Sequence, residues 1–191
     1  MNITKIIQSR RAIYPSQFEN GDINKDQIYK ILENANTAPS HKLTQPWFFK
    51  VFKTEHKNKP ATEMVNAFEA FFNKKSDLKK KKIHEKCSKS NCIIAIFMKR
   101  DIKESIPEWE EIAATAMAVQ NMWLTCVGLK IGCYWSTPKY ITKMNHFFKL
   151  KKNERCLGFF YMGKYDHVNT ESKLRKSIIE KIRMEFIMNL Y

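Results

Sequence analysis

The run IAATAMAVQNMWLTCVGL, Ile112 to Leu129, restricts the fold of this chain more than any other stretch. It carries no charged residue, so it belongs either in a lipid bilayer or against a protein core. Gln120 and Asn121 interrupt its middle and small residues dominate it, which suits a buried central helix better than a membrane span. Glu108, Glu110 and Glu111 stand just ahead of it and Gly128 near its end. Acidic residues favour a helix start and glycine a helix stop, so the spacing predicts one long helix over Pro107–Gly128.

Around that helix the pattern alternates between the helical and extended periods. Ile3, Ile6 and Ile7 fall on one face of a short opening helix. Asn24 and Gln27 have the spacing of a capping box, followed by apolar positions Ile28, Ile31, Leu32 and Ala35. Residues 46–53, 92–98, 133–135 and 155–163 are short runs rich in aromatic and β-branched residues and read as strands. CIIAIFM, Cys92 to Met98, is apolar throughout, as a strand covered on both faces would be. Residues 60–73 and 175–186 read as helices, and Pro138 as the first residue of another, with Thr137 as its cap. No repeat or linker divides the 191 residues, so the expectation is one α+β domain over residues 1–191.

Charge and cysteine content bear on function classes. The net charge is +15, with 34 basic residues against 19 acidic ones. A nucleic-acid or anionic-surface binder would explain that excess. So would an AT-rich coding bias, since Asn, Ile, Phe and Tyr are abundant as well as Lys. The lysines are dispersed apart from one cluster, Lys74 to Lys86, and no basic and aromatic interleave of the RNA-binding kind is present. The reading adopted is no nucleic-acid partner and no membrane. The five cysteines are odd in number without CxxC spacing, and the amino end lacks a signal-peptide pattern, so a cytoplasmic location is expected.

Four segments carry polar chemistry. SRRA, Ser9 to Ala12, places Arg10 beside Arg11 in a chain that has only six arginines. A guanidinium fork grips a phosphate as lysine cannot, but two arginines can equally complete a helix carboxyl end. TAPSHKLTQPW, Thr37 to Trp47, mounts Thr37, His41 and Gln45 on a loop between helix and strand. Trp135, Ser136 and Thr137 form a break after a strand, where N–H groups opening a helix would bind an anion or carbonyl. Near the carboxyl end, SKLRKS offers Arg175, with Lys173 behind it.

Taken together in this order, SRRA and APSHKLTQPWFFKVF resemble the FMN-dependent nitroreductase family, best its shorter members with His-Lys after Ala-Pro. The likeness runs from Ser9 to the tail. It implies helices around a central, mainly antiparallel sheet, in a homodimer with a long central helix and the flavin at the subunit interface. It implies FMN as cofactor and NAD(P)H as co-substrate, with hydride passing through flavin N5 to a nitroaromatic, quinone or other electrophilic small molecule. Arg10, Arg11, Ala12 and Arg175 would hold the phosphate and Trp135, Ser136 and Thr137 the ring. Thr37, His41 and Gln45 would approach the flavin of the other chain. The cofactor carries the redox chemistry, so no catalytic nucleophile or base is required of the protein. The family usually has Ser where Ala12 stands, and the lysine cluster matches none of its motifs. A specialised dehydrogenase, dehalogenase or flavin-fragmenting enzyme on the same fold is the alternative.

Overall fold

A computed structural model of the protein describes residues 2–166 and 175–183. Six helices surround one sheet: α1 (Ile3–Ser9), α2 (Lys25–Asn36), α3 (Lys59–Phe72), α4 (Asp77–Lys89), α5 (Glu108–Gly128) and α6 (Asn145–Phe148). The strands are β1 (Trp47–Lys53), β2 (Cys92–Lys99), β3 (Gly132–Ser136) and β4 (Glu154–Gly163), in the order β1-β2-β4-β3 with every pairing antiparallel. This is the α+β architecture that the sequence pattern predicts.

Two local signals set helix starts. Asn24 accepts from Gln27 N and Gln27 returns to Asn24 N, closing the capping box of α2. Ser76 accepts from Lys79 N and opens α4, so the lysine cluster is helical, anchored by buried Ile83 and Cys87. Asn121, inside the apolar run, donates to Asn34 O (3.1 Å) and so fastens α5 to the end of α2.

The uniformly apolar β2 is explained by two cores. Strand side chains alternate between faces. Cys92, Ile94 and Ile96 point into a core with α2 and α5, built around Ile31, Ala118 and Met122. Ile93, Ala95 and Phe97 point to the opposite core with α3, α4 and α6, built around Met64, Cys87 and Phe148. Residues Cys92 through Met98 are completely buried. At about 1.5–3 kcal/mol for each large apolar side chain removed from water, this strand is the main organiser of the fold.

One face of α5 remains outside both cores. Trp109 is 67% exposed, and Ile112 and Met117 follow it on the same side. The long helix therefore packs on the sheet on one side and leaves apolar residues uncovered on the other, as a helix too apolar for a surface position but central or dimer-facing would. Among the described residues no helix is long and apolar enough to cross a membrane. The expected carboxyl-terminal helix is, among the described residues, a single turn over Ile179–Lys181; residues 184–186 and Lys173 lie outside them.

Candidate functional site

After α1 the chain turns and runs beside β3, where Ile13 N donates to Cys133 O (3.0 Å). Trp123, on α5, supports this turn from below. Its Nε1 donates to Arg11 O (2.9 Å), and its ring lies 4.8 Å beneath the Arg10 guanidinium. The two arginines have different duties. Arg11 Nη1 donates to Gln8 O (2.6 Å) and to Arg10 O (3.0 Å), closing the end of α1. Its side chain thus fulfils the helix-end role left open by the sequence.

The Arg10 guanidinium is stacked and half-buried, and among the described residues no carboxylate pairs with it. Burial lowers its pKa most, followed by repulsion from Arg175; the Cys133 thiol opposes this slightly and Arg11 adds to it. Arg175 is exposed and close enough to be felt. Arg10, Arg11 and Arg175 therefore concentrate positive charge near the start of β3, with Ala12 half-buried in the same turn. Such a cluster is costly unless an anion joins it.

β3 leads from that cluster to the second group. Cys133 and Ser136 are three residues apart, which is about 10 Å of extended chain. Tyr14 packs on Tyr134 (ring centroids 4.7 Å apart) and keeps the two segments aligned. Trp135 is seated by Nε1–H donating to Leu157 O (3.2 Å). Leu157 is the extra residue of a bulge in β4 opposite β2. The neighbouring Gly158 has φ +139°, and a Cβ there would lie 2.5 Å from both Ser136 O and Trp135 Nε1. Only glycine fits, because the backbone conformation and the close approach both exclude a side chain. Ser136 closes the strand and Thr137 is exposed. The expected cap is corrected here. Pro138, not Thr137, occupies the cap position of the following turn, Lys139–Met144, and no side chain caps it.

Thr37, His41 and Gln45 sit elsewhere on the chain. Thr37 Oγ1 donates to Asn34 O (2.8 Å) at the end of α2. His41 lies in a short turn, its Nδ1 2.6 Å from Glu110 Oε2, so the ring donates that proton to the carboxylate. Glu110 and Trp123 are thirteen residues apart on α5, about 20 Å along the helix. Within one chain the structure therefore brings Arg10, Arg11, Arg175 and the Trp135–Thr137 turn to one side, and His41 to a distant end. Gln45 is exposed beside it, with positive φ (41°), as have Lys42 (50°) and Leu43 (54°). Ser40 Oγ accepts from Gln45 N (3.1 Å) and holds this strained loop.

Residues 7–164 match the family model described as Nitroreductase family. The chain belongs to the nitroreductase family. YfhC of Bacillus subtilis (strain 168), provisionally named an NAD(P)H nitroreductase, is 28% identical over 182 residues, covering 92% of this chain and 90% of YfhC. In fold, the chain is similar to the nitroreductase-like family protein from Bacillus cereus (24% identity, TM-score 0.81), over 99% of this chain and 97% of that one. It is also similar to a provisionally named nitroreductase from Desulfovibrio desulfuricans solved in complex with FMN (20% identity, TM-score 0.74; 98% and 99% covered).

Three supporting residues escape a reading of the sequence. Trp123 and Glu110 act across 112 and 69 positions of chain, distances at which local periodicity is silent. Gly158 had a visible signal, a glycine inside an apolar strand, which marks a bulge or a close approach.

Proposed function

We propose that the protein is an FMN-dependent oxidoreductase that uses NAD(P)H to reduce a small electrophilic acceptor, of the nitroaromatic or quinone kind. The class, an FMN-linked NAD(P)H oxidoreductase, follows from family membership. The observation that carries the assignment to residues is the cationic cluster of Arg10, Arg11 and Arg175, with no carboxylate among the described residues acting on Arg10, one strand length from the Trp135–Thr137 turn. That separation suits a cofactor with a phosphate at one end, a sugar-alcohol chain in the middle and a planar ring at the other.

In this reading Arg10 and Arg175 take the phosphate, Arg11 fixes the turn and adds charge, and the Ala12 N–H faces the same anion. Trp123 keeps the Arg10 fork flat and partly shielded from water, which strengthens its pairing with a phosphate. Trp135, Ser136 and Thr137 orient the ring edge. Bound FMN supplies hydride transfer through N5 between NAD(P)H and acceptor. For a nitro acceptor the balance is one NAD(P)H and one proton consumed, a nitroso product and water formed.

A second copy of the chain completes the site. The exposed apolar residues of α5 (Trp109, Ile112, Met117), together with Ile3 and Ile7 exposed on α1, support a homodimer. His41 and Gln45, remote from Arg10 in their own chain, and Thr37, which lies against Asn121 of α5 (3.5 Å), then serve the partner's flavin. The whole chain acts as one flavin-binding domain in the cytoplasm. The test is anaerobic: purified protein should show a flavin band near 450 nm that NADH or NADPH bleaches and menadione restores. Flavin that neither nucleotide reduces would overturn the reductase reading.

A further inference from the structure

The first turn of α5 carries three glutamates, and their nearest partners differ in kind. Glu108 pairs with Arg155 (2.7 Å) and Glu111 with Arg100 (2.8 Å). Arginine does not give up its proton in a protein, so those two pairs are framework. Glu110 instead meets His41, and histidine is the side-chain type that exchanges protons near neutrality. The carboxylate is mostly covered (23% exposed) while the ring is 55% exposed, so Glu110 is the fixed member and His41 the presented one. An ion pair this open adds little to stability. What it achieves is placement of the ring.

The loop that carries His41 is held in a costly conformation. Lys42, Leu43 and Gln45 all have positive φ, which residues other than glycine keep only where surrounding contacts enforce it. Thr44 Oγ1 donates to His41 O (3.2 Å), and Lys42 Nζ donates to Ser105 O (3.0 Å). Ser105 is itself tied down, since Asp101 Oδ2 accepts from its N (3.2 Å) and its Oγ (2.7 Å). Strain and fastenings together hold the ring in one place.

Glu110 also decides which ring nitrogen is available. Its Oε2 lies 2.6 Å from Nδ1, so the Nδ1 proton stays between ring and carboxylate in both charge states of the imidazole. Among the described residues Nε2 has no hydrogen-bond partner, which makes it the atom where a proton can come and go.

We propose that Glu110 and His41 are a proton-delivery pair, in which Glu110 positions the ring and Nε2 gives the acceptor the proton that accompanies its hydride. The inference rests on the flavoenzyme reading above, in which His41 reaches the site of the other subunit. With a quinone as acceptor, the Nε2–H bond breaks and an O–H bond forms, so that hydride and proton together give the hydroquinone. Water then reprotonates Nε2. The net uptake is one NAD(P)H and one proton per quinone.

FMN-saturated protein is reduced with NADH and mixed anaerobically with menadione in a stopped-flow instrument. His41→Ala should slow reoxidation roughly 100-fold, the low end for a positioned acid, and added imidazole should restore part of the rate. Flavin reduction by NADH, which needs no proton from the protein, should change by about threefold at most. Glu110→Gln keeps the shape of the side chain, but its amide N–H can donate to Nδ1 and trap the other tautomer; it should slow reoxidation by about tenfold or more. The ring is read separately by long-range proton–nitrogen NMR, with His41 identified among the five histidines by its loss in His41→Ala. In its neutral form it should carry the proton on Nδ1 in the wild type and on Nε2 in Glu110→Gln.

Wild-type reoxidation in either variant, an equal slowing of flavin reduction, or no recovery with imidazole overturns the proposal. So does a neutral ring protonated on Nε2 in the wild type. Protein that takes up no flavin, or whose flavin neither nucleotide reduces, contradicts the underlying reading instead. The proton role then falls with it, even where the ring keeps its Nδ1 proton.

Discussion

Arginine is used in two ways at the two ends of α5, and the contrast separates framework from site. At the amino end, Arg100 lies under Glu111, whose side chain is fully buried, with Nε 2.8 Å from Oε2. The contact is an ion pair whose N–H is not aimed along the line to the oxygen. Glu111 Oε1 accepts from Asp101 N (2.7 Å), Arg100 Nη2 donates to Ile106 O (3.1 Å), and Arg155 pairs with Glu108 at 2.7 Å. Every guanidinium there has a carboxylate. Toward the other end, Arg10 has a tryptophan ring beneath it and further arginines as its charged neighbours. Paired charges fix structure; a half-buried cation that no carboxylate matches among the described residues is a candidate for holding a ligand.

The sharpest way to break this contrast is at the paired end. Glu111→Ala takes the nearest carboxylate from Arg100, largely buried, leaving it the more distant Glu104 (3.9 Å) and Glu108 (3.7 Å), and should cost about 1.5–3 kcal/mol of stability. Thermal or urea unfolding measures it, and flavin bound per folded molecule should stay the same. A loss of flavin without loss of stability would make the amino end of α5 part of the site. Within the doublet, Arg11→Ala removes two backbone contacts at the end of α1. It should cost about 0.5–1.5 kcal/mol of stability and weaken FMN binding less than Arg10→Ala does. Equal loss from both variants would show that the doublet acts as one clamp. Smallest is Arg155→Ala, whose side chain is 56% exposed: about 0.2–1 kcal/mol by urea unfolding, with FMN affinity unchanged.

The frame of the molecule could be read from local pattern. The long helix, the Asn24–Gln27 box and the apolar β2 each rest on spacing or composition within a few residues, and each appears where that spacing predicts. The division of labour between Arg10 and Arg11 could not be read, because adjacent identical residues differ only in what tertiary contacts surround them. The same holds for Lys86. It shares a helix with the exposed run Lys79–Lys82, yet it sits among tyrosines because Ile83 and Cys87 turn that face of α4 inward. Thr137 is an instructive miss. Threonine before proline suggests a cap, but the strand continues through Ser136 and the cap falls one residue later, at Pro138, with the turn starting at Lys139. The exposed face of α5 was also hidden, since an apolar helix composition does not say which neighbour covers which side.

The central claim is that Arg10 holds the phosphate of FMN. Titration of flavin-free protein with FMN, followed by flavin fluorescence quenching, compares wild type, Arg10→Ala and Arg155→Ala directly. The account predicts a rise in Kd of roughly 10- to 100-fold for Arg10→Ala, as expected for one lost charge-assisted contact, and no change for Arg155→Ala. Wild-type affinity retained by Arg10→Ala would contradict it.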